Sequence, residues 1–451
     1  MNILFLNPRR PFPIEEDYNR GLKFSNGYEI PIALGYCASI LRKKHEVKIV
    51  DANYFQYNDK RVMIKTKMFK PDVVIVSPNT MTRWQCPSFT IDWIKPIIQE
   101  IKKYNSKVKI IVIGAHATAT PKWVFEKVSE VDIVIRGEPE SVIENLFLDI
   151  INFDALGISY KKNGKIIHNK DAEFIKNIDD IPFPSYDLMP MKEYVKRARL
   201  NILSSRGCPF HCIYCFKHVF GDTLYRERSP KNVLDELEIL LSYNPSKISF
   251  MDWEFCLNKK RVLEICKGIK DRNLNFKWTL NTRFPDIDDY QFLKTMKEAG
   301  LVEVKLGFES GSKQIIKNIN KQIDLDRVPV IKKWLDELGI KAFFYGIILS
   351  PGETWETLRE SVKFSVKHGI GKGGGKIVIP FPKTKLHVMA EEQYGRKITW
   401  DNLPDVSGNI GTNLLNQTSV EGVYRRIYVY YYFYSLIKKI KGVLNRFRKS
   451  S

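Results

Sequence analysis

Residues 206–215 read RGCPFHCIYC and place Cys208, Cys212 and Cys215 on one short loop. Three thiolates with three and then two residues between them can hold three irons of a cubic 4Fe-4S cluster, because soft sulfur ligands suit iron–sulfur chemistry. The fourth iron then has no protein ligand and stays open to chelate a small molecule. A zinc knuckle completed by His211 or His218, or three buried thiols, are the other readings of this spacing. Residues 201–205 ahead of the loop are strand-like, so the cysteines follow the carboxyl end of a strand.

Downstream, strand-like runs recur at 247–251, 275–280, 302–308, 341–349 and 376–379, each followed by a helix-length segment. With the strand before the cysteines they predict a partial barrel whose chemistry sits at the strand carboxyl ends. Those ends carry Asp252, Trp253 and Glu254, then Asn281, Thr282 and Arg283, then Glu309 and Ser310, and last GIILSPGET at 346–354, with Gly346, Ser350 and Glu353. Arg283 suits a ligand carboxylate or a structural ion pair. Glu309, between apolar strand residues and Gly311, reads as a site residue. Glu353 either joins that site or favours the start of the next helix.

Upstream, five runs at 2–6, 46–51, 72–77, 108–114 and 132–136, separated by helical patterns, predict a doubly wound parallel sheet. Ligands in such sheets bind outside the strand carboxyl ends, here Asn79 and Thr80, then Gly114, Ala115 and His116, then Gly137 and Glu138. No GxGxxG follows the first run, which disfavours a nicotinamide or flavin dinucleotide. The expected architecture is α/β: a Rossmann-like domain over 1–150, a linker over 151–195, a TIM-type partial (β/α)6 barrel over 196–400, and a helical extension over 401–451.

The other four of the seven cysteines are scattered, which predicts neither a second cluster nor a disulfide framework. MNILFLNP at the start reads as a strand rather than a signal peptide, and a cytoplasmic location follows as an expectation. The formal net charge is +21, mostly lysine spread along helix surfaces. The exception is 423–451, which has no acid and brackets a tyrosine-rich apolar run with basic residues. Its uninterrupted part, 427–437, is too short to span a bilayer, which takes roughly 20 residues. We expect a packed helix over 423–437 and a basic amphipathic tail over 438–449, which is either a solvated extension or lies on an anionic membrane, the latter bringing the active-site mouth near lipid-like substrates.

The cysteine spacing with Tyr214 before the third thiol, the segments at 30–52, 71–80, 110–121 and 131–146, and FPSYDLMPMKEY at 183–194 resemble one family in their order. It is the radical S-adenosylmethionine (SAM) superfamily, in the branch with an N-terminal cobalamin-binding domain, which includes the anaerobic magnesium-protoporphyrin monomethyl ester cyclases and the P-methylases. The resemblance implies that SAM chelates the open iron of a 4Fe-4S cluster and is cleaved by one electron to methionine and a 5'-deoxyadenosyl radical. It also implies that cobalamin delivers a methyl group to an unactivated carbon or phosphorus. Cys208, Cys212 and Cys215 would hold the cluster. SAM would meet Asp252, Glu254, Arg283, Glu309, Ser310, Gly346 and Ser350, and the corrin Asn79, Thr80, Gly114, Ala115, His116, Gly137 and Glu138. An electron donor such as ferredoxin or flavodoxin and a small-molecule or lipid substrate complete the expected partners.

Three departures stand out. The DxHxxG motif that supplies a lower axial histidine is absent, so His116 reads as a hydrogen-bonding residue rather than a cobalt ligand. Trp253 interrupts the usual acidic pair, and Ser350 replaces a glycine. A first domain that keeps the fold without the corrin is a second reading, and a radical cyclase or rearrangement enzyme would share every motif. A non-catalytic or RNA-binding reading rests on charge alone; with no appended RNA-binding module, no nucleic-acid partner is expected.

Overall fold

Runs of valine and isoleucine build the first sheet. The computed structural model describes residues 1–10, 28–81, 84, 86–148, 150–371 and 374–450. Strand β1 (Asn2–Asn7) is followed by β2 (Tyr28–Glu29), which leaves for the second sheet, and then by β3 (Glu46–Asp51), β4 (Val73–Val76), β5 (Lys109–Val112) and β6 (Ile133–Ile135). β1 and β3–β6 are parallel in the order β3-β1-β4-β5-β6. β4 and β6, VVIV and IVI, are buried along their whole length because helices cover both faces. The order reverses between β1 and β4, and the crevice beyond their carboxyl ends is where such sheets take ligands.

Two strands fall where a linker was expected. β7 (Ile158–Lys162) and β8 (Lys165–His168) form an antiparallel hairpin on the edge of β6, so this sheet runs on past residue 150. Asn163 and Gly164 both turn through positive φ, 50° and 73°, the geometry of a two-residue hairpin turn. The Asn-Gly pair was the sequence signal for it.

The second sheet is a half-barrel. After β9 (Ala198–Ile202), the short β10 (Ser205–Arg206) and β11 (Arg226–Glu227) pair only with each other, antiparallel. Next come β12 (Ile248–Phe250), β13 (Trp278–Thr282), β14 (Leu301–Glu309), β15 (Lys341–Ile348) and β16 (Lys376–Ile377), parallel to β9 and in sequence order across the sheet. β2 adds to the free edge of β9. A segment N-terminal to most of the first domain therefore completes the sheet of the second. Ser229, Asn258, Asp289 and Thr354 each accept a backbone N–H at the start of a following helix and set where the chain turns back.

The start of the expected C-terminal region is locked to the first domain. Trp123 Nε1 donates to Asp401 Oδ2 at 2.9 Å and Trp400 Nε1 to Thr120 Oγ1 at 2.6 Å. The chain ends in one helix, Val420–Ser450, rather than a packed helix and a separate tail; the side chains of 442–450 lie outside the described residues. Its inner face packs on the helix Trp355–His368, with Val423 and Ile427 against Leu358 and Val362. Arg426 lies 4.1 Å from the Trp355 ring centre, Arg359 Nε donates to the Tyr434 hydroxyl at 2.6 Å, and Lys438 Nζ donates to Val366 O at 2.9 Å. These contacts run in register, so the two helices descend side by side from the barrel mouth, and the basic end lies at the opposite end from the active-site mouth. That removes the expectation that the tail brings lipid to the site. Tyr428, Val429, Tyr432, Phe433, Leu436 and Ile440 form an exposed apolar stripe on the outer face. Among the described residues no helix is long and apolar enough to cross a membrane.

Candidate active site between the two sheets

The cysteine loop hangs from the β10–β11 ladder, which closes residues 207–225 at their base through the pairs Ser205 with Glu227 and Arg206 with Arg226. Only glycine fits at 207: its φ is +83° and a Cβ there would lie 1.7 Å from the Leu224 carbonyl oxygen. The loop docks on the barrel through Ile213 N–H to Ile319 O at 3.2 Å and Leu386 N–H to Ile213 O at 2.9 Å. Lys217 Nζ donates to the carbonyls of Cys208 and Phe210 and ties the loop to itself.

All three thiols are free and half-buried. Burial pushes the Cys208 and Cys215 thiols up, and the other thiols of the set add to it. Among the described residues no three His, Cys, Asp or Glu side chains converge to hold a single ion. Three free thiols on one clamped loop, close enough to influence one another, are the ligand set a cubic cluster takes.

Beside them lies a carboxylate–lysine pair. The register of β14 against β15 shifts between Gly307 and Glu309, and Glu309 sits at φ +62°, so the bulge re-aims this side chain at the strand end. Lys321 Nζ donates to Glu309 Oε1 at 2.8 Å with both side chains buried. The Tyr214 phenol lies beside the same carboxylate; burial and then the charge of Glu309 raise it. Sequence reading missed Lys321, because nothing local marks a lysine 12 residues beyond its partner.

The other barrel candidates divide. Glu254 accepts from Thr282 Oγ1 and Cys256 N–H through Oε1, while its buried Oε2 has no protein partner. Burial and then the nearby Asp286 carboxylate push it up to about 8. Arg283 donates to the carbonyls of Lys321 and Gln322 at 2.6 and 2.8 Å and stacks on Phe210, 3.3 Å from the ring centre. Its Nε is buried without a protein partner, as are the Ser350 hydroxyl and both amide atoms of Asn201. Such orphaned groups at adjoining strand ends are what a polar ligand would satisfy.

Four candidates are turned to structural use instead. The Asp252 carboxylate is taken by Ser204 N–H, the Ser204 hydroxyl and Ser205 N–H. Ser310 bonds Ser361 at 2.8 Å. A Cβ on Gly346 would lie 2.9 Å from Gly374 O, so this glycine admits a neighbouring backbone. Burial pushes Glu353 up to about 8, and it accepts Ser350 N–H, closing the turn after β15.

Across the gap, the first domain presents its own strand ends. His116 Nε2 lies 2.7 Å from Ser88 O and Nδ1 3.3 Å from Asn79 Nδ2, and its ring centre lies 4.3 Å from that of Trp400. Burial lowers it to about 4. Both ring nitrogens are committed to partners within the protein. Asn79 also accepts from the Ser88 hydroxyl, and Thr80 donates to Glu29. A Cβ on Gly114 would lie 2.9 Å from the Trp84 indole nitrogen, and Ala115 is buried beside it. The Glu138 carboxylate is held by Arg206 and Arg226. Gly137 alone opens outward, at φ +74° with no heavy atom closer to a Cβ than Phe174 at 3.8 Å. It lines a cleft of about 900 Å³ between the domains with Thr118, Phe174, His218, Leu224 and Lys383. An open cleft of this size, with bare backbone at the carboxyl ends of a doubly wound sheet, fits a bulky cofactor.

Comparison with known proteins agrees with this geometry. Residues 25–147 match the B12 binding domain model and residues 202–365 the radical SAM superfamily model. The chain is 34% identical over 370 residues to an uncharacterised methyltransferase of Pyrococcus horikoshii, covering 79% of this chain and 77% of that one.

The chain belongs to the radical SAM superfamily.

Its cofactors are a 4Fe-4S cluster, SAM and, through the B12 binding domain, cobalamin. It is 27% identical over 403 residues to the anaerobic magnesium-protoporphyrin IX monomethyl ester cyclase of Rubrivivax gelatinosus, covering 86% of this chain and 69% of the cyclase. The fold matches that of the cobalamin-dependent SAM radical enzyme OxsB, solved with aqua-cobalamin and SAM, with a TM-score of 0.67 and 20% identity. That match covers 91% of this radical SAM enzyme and spans 57% of the OxsB chain.

Proposed function

We propose that this radical SAM enzyme methylates an unactivated carbon or phosphorus of a small molecule, with Cys208, Cys212 and Cys215 as the iron ligands. The observation that carries the reading is the clamped loop of three free thiols at the barrel mouth, set beside a cleft walled by the strand ends of the B12 binding domain. When bound, the cluster supplies the electron that cleaves SAM, and cobalamin supplies the methyl group.

The chain's own residues bind and orient. The Glu309 carboxylate, held by Lys321 beside the Tyr214 phenol, receives the SAM ammonium or ribose hydroxyls. Arg283, pinned by two carbonyls and the Phe210 ring, turns its free Nε to the SAM carboxylate. Glu254, whose carboxyl burial pushes up to about 8, can donate as well as accept a hydrogen bond when protonated. The aromatic wall of Trp84, Phe220 and Trp253 excludes water between the domains. A low-potential donor such as ferredoxin or flavodoxin supplies the electron. Residues 1–150 act as the corrin domain and 196–400 as the catalytic core.

The cyclase-like relatives favour a second reading, ring closure without methyl transfer. Assays with methyl-labelled SAM and mass spectrometry separate the two, the expected result being a product that carries the label. Substrate turnover and 5'-deoxyadenosine formation with no label in any product would replace methylation by cyclisation.

We further propose that the exposed stripe from Tyr428 to Ile440, ending in Lys439 and Lys441, rests on an anionic membrane at the far end of the barrel. Each basic residue near such a surface contributes about 1 kcal/mol, and salt weakens it. Flotation with anionic liposomes should recover the full chain several-fold better than a chain ending at Ile437. Equal recovery of the two would remove the membrane from this account.

A further inference from the structure

The two residues that close the cysteine loop are both arginines, and they face each other across the β10–β11 ladder. Like charges directly opposite in an antiparallel pair repel. Here both guanidiniums are buried, which makes an unpaired charge more costly still. One carboxylate from the other domain bridges them. Glu138 Oε1 accepts from Arg206 Nη1 at 3.1 Å and Arg226 Nη2 at 2.9 Å, and Oε2 accepts from Arg226 Nη1 at 2.7 Å. Glu140 takes the other side of Arg206 at 2.8 Å. Glu138 and Glu140 are fully buried side chains at the start of the helix Pro139–Leu146.

The bridge lies next to the cleft on both sides. Gly137, one peptide before Glu138, lines the cleft, and so do Gly221 and Leu224 on the returning limb of the cysteine loop. The Leu224 carbonyl is the group packed against Gly207, one residue before Cys208. An occupant of the cleft would therefore touch the backbone leading into the clamp and the limb the clamp holds. The Glu138 side chain joins the two.

We propose that Glu138 is a positioning residue that couples the occupant of the interdomain cleft to the geometry of the cysteine loop. The proposal rests on the reading of Cys208, Cys212 and Cys215 as iron ligands. The first domain is then part of the iron site without touching it: its acid pair cancels the repulsion that would splay the loop base. Replacing the acid by an amide keeps the shape and one acceptor oxygen but removes the charge shared by the two arginines.

The experiment uses the full chain, reconstituted anaerobically with iron and sulfide. Electron paramagnetic resonance of the reduced cluster is recorded with and without hydroxocobalamin, for wild type, Glu138→Gln and Glu138→Asp. Iron content and retained corrin are measured on each sample, so only folded, loaded protein is compared. In the wild type, hydroxocobalamin is expected to shift the cluster spectrum. In Glu138→Gln the shift is expected to be lost with iron and corrin still bound, and Glu138→Asp, which keeps the charge, is expected to restore part of it. A wild-type cluster indifferent to the corrin, or a Glu138→Gln variant with the full wild-type shift, overturns the proposal. Should Glu138→Gln fail to fold, Glu138→Asp decides: a full wild-type shift despite the shortened side chain overturns it, and a reduced shift supports it. A wild type that takes up no iron instead overturns the cluster reading itself, a different failure.

Discussion

Single replacement of Cys208, Cys212 or Cys215 by alanine is expected to abolish reductive cleavage of SAM, while Cys266→Ala should leave it intact. A cubic cluster held by three thiolates has no spare ligand, and loss of any one opens a second iron to water and oxygen. Wild-type protein reconstituted anaerobically should hold about four irons per chain. Cys266 serves as the control because it is buried in the helix Lys259–Asp271, apart from the loop. Iron content and 5'-deoxyadenosine, measured on the same samples, check the expectation. Formation of 5'-deoxyadenosine at the wild-type rate by the triple alanine variant would sink the assignment of these ligands.

Glu309→Gln is expected to cut SAM cleavage about a hundredfold, the scale of losing one preorganised charged contact in an active site, with the iron content unchanged. The amide keeps the size of the side chain and can still accept from Lys321 Nζ, which lies 2.8 Å from the carboxylate in the wild type. What disappears is the negative charge that faces the SAM ammonium and balances a buried lysine. Lys321 gives the partner test. Burial lowers this ammonium, but Glu309 and then the Cys212 thiol outweigh it and hold it above the usual lysine range, so it stays charged at any working pH. Lys321→Met should weaken SAM binding and leave cluster assembly in place. Wild-type cleavage by Glu309→Gln would show that the bulge in β14 positions something other than SAM.

What the linear chain determined is what depends on near neighbours. Cys208, Cys212 and Cys215 share a loop because only three and two residues separate them. The parallel strands announce themselves as valine and isoleucine runs, since burial on both faces demands apolar residues at every position. The predicted strands at 2–6 and 46–51 lie within a residue of β1 and β3. The hairpin of β7 and β8 is legible in its Asn-Gly turn alone, because the strands beside it are short and partly polar.

Tertiary structure decided the rest, because the partners come from distant parts of the chain. Glu138 meets Arg206 across 68 positions, and nothing in GEPE says whether its acid faces a cofactor or an arginine. Asp252 reads as a site carboxylate until Ser204 and Ser205, brought beside it by the pairing of β9 with β12, consume its oxygens. β2 crosses to the second sheet because the edge of β9 offers unpaired backbone groups that a two-residue segment can satisfy. The direction of the last helix follows from which turn of Trp355–His368 each of its residues touches, a three-dimensional register that composition does not encode. Local spacing thus specified the iron loop and the strands, while long-range pairing of buried charges and strand edges settled which polar residues face the ligands and which hold the two domains together.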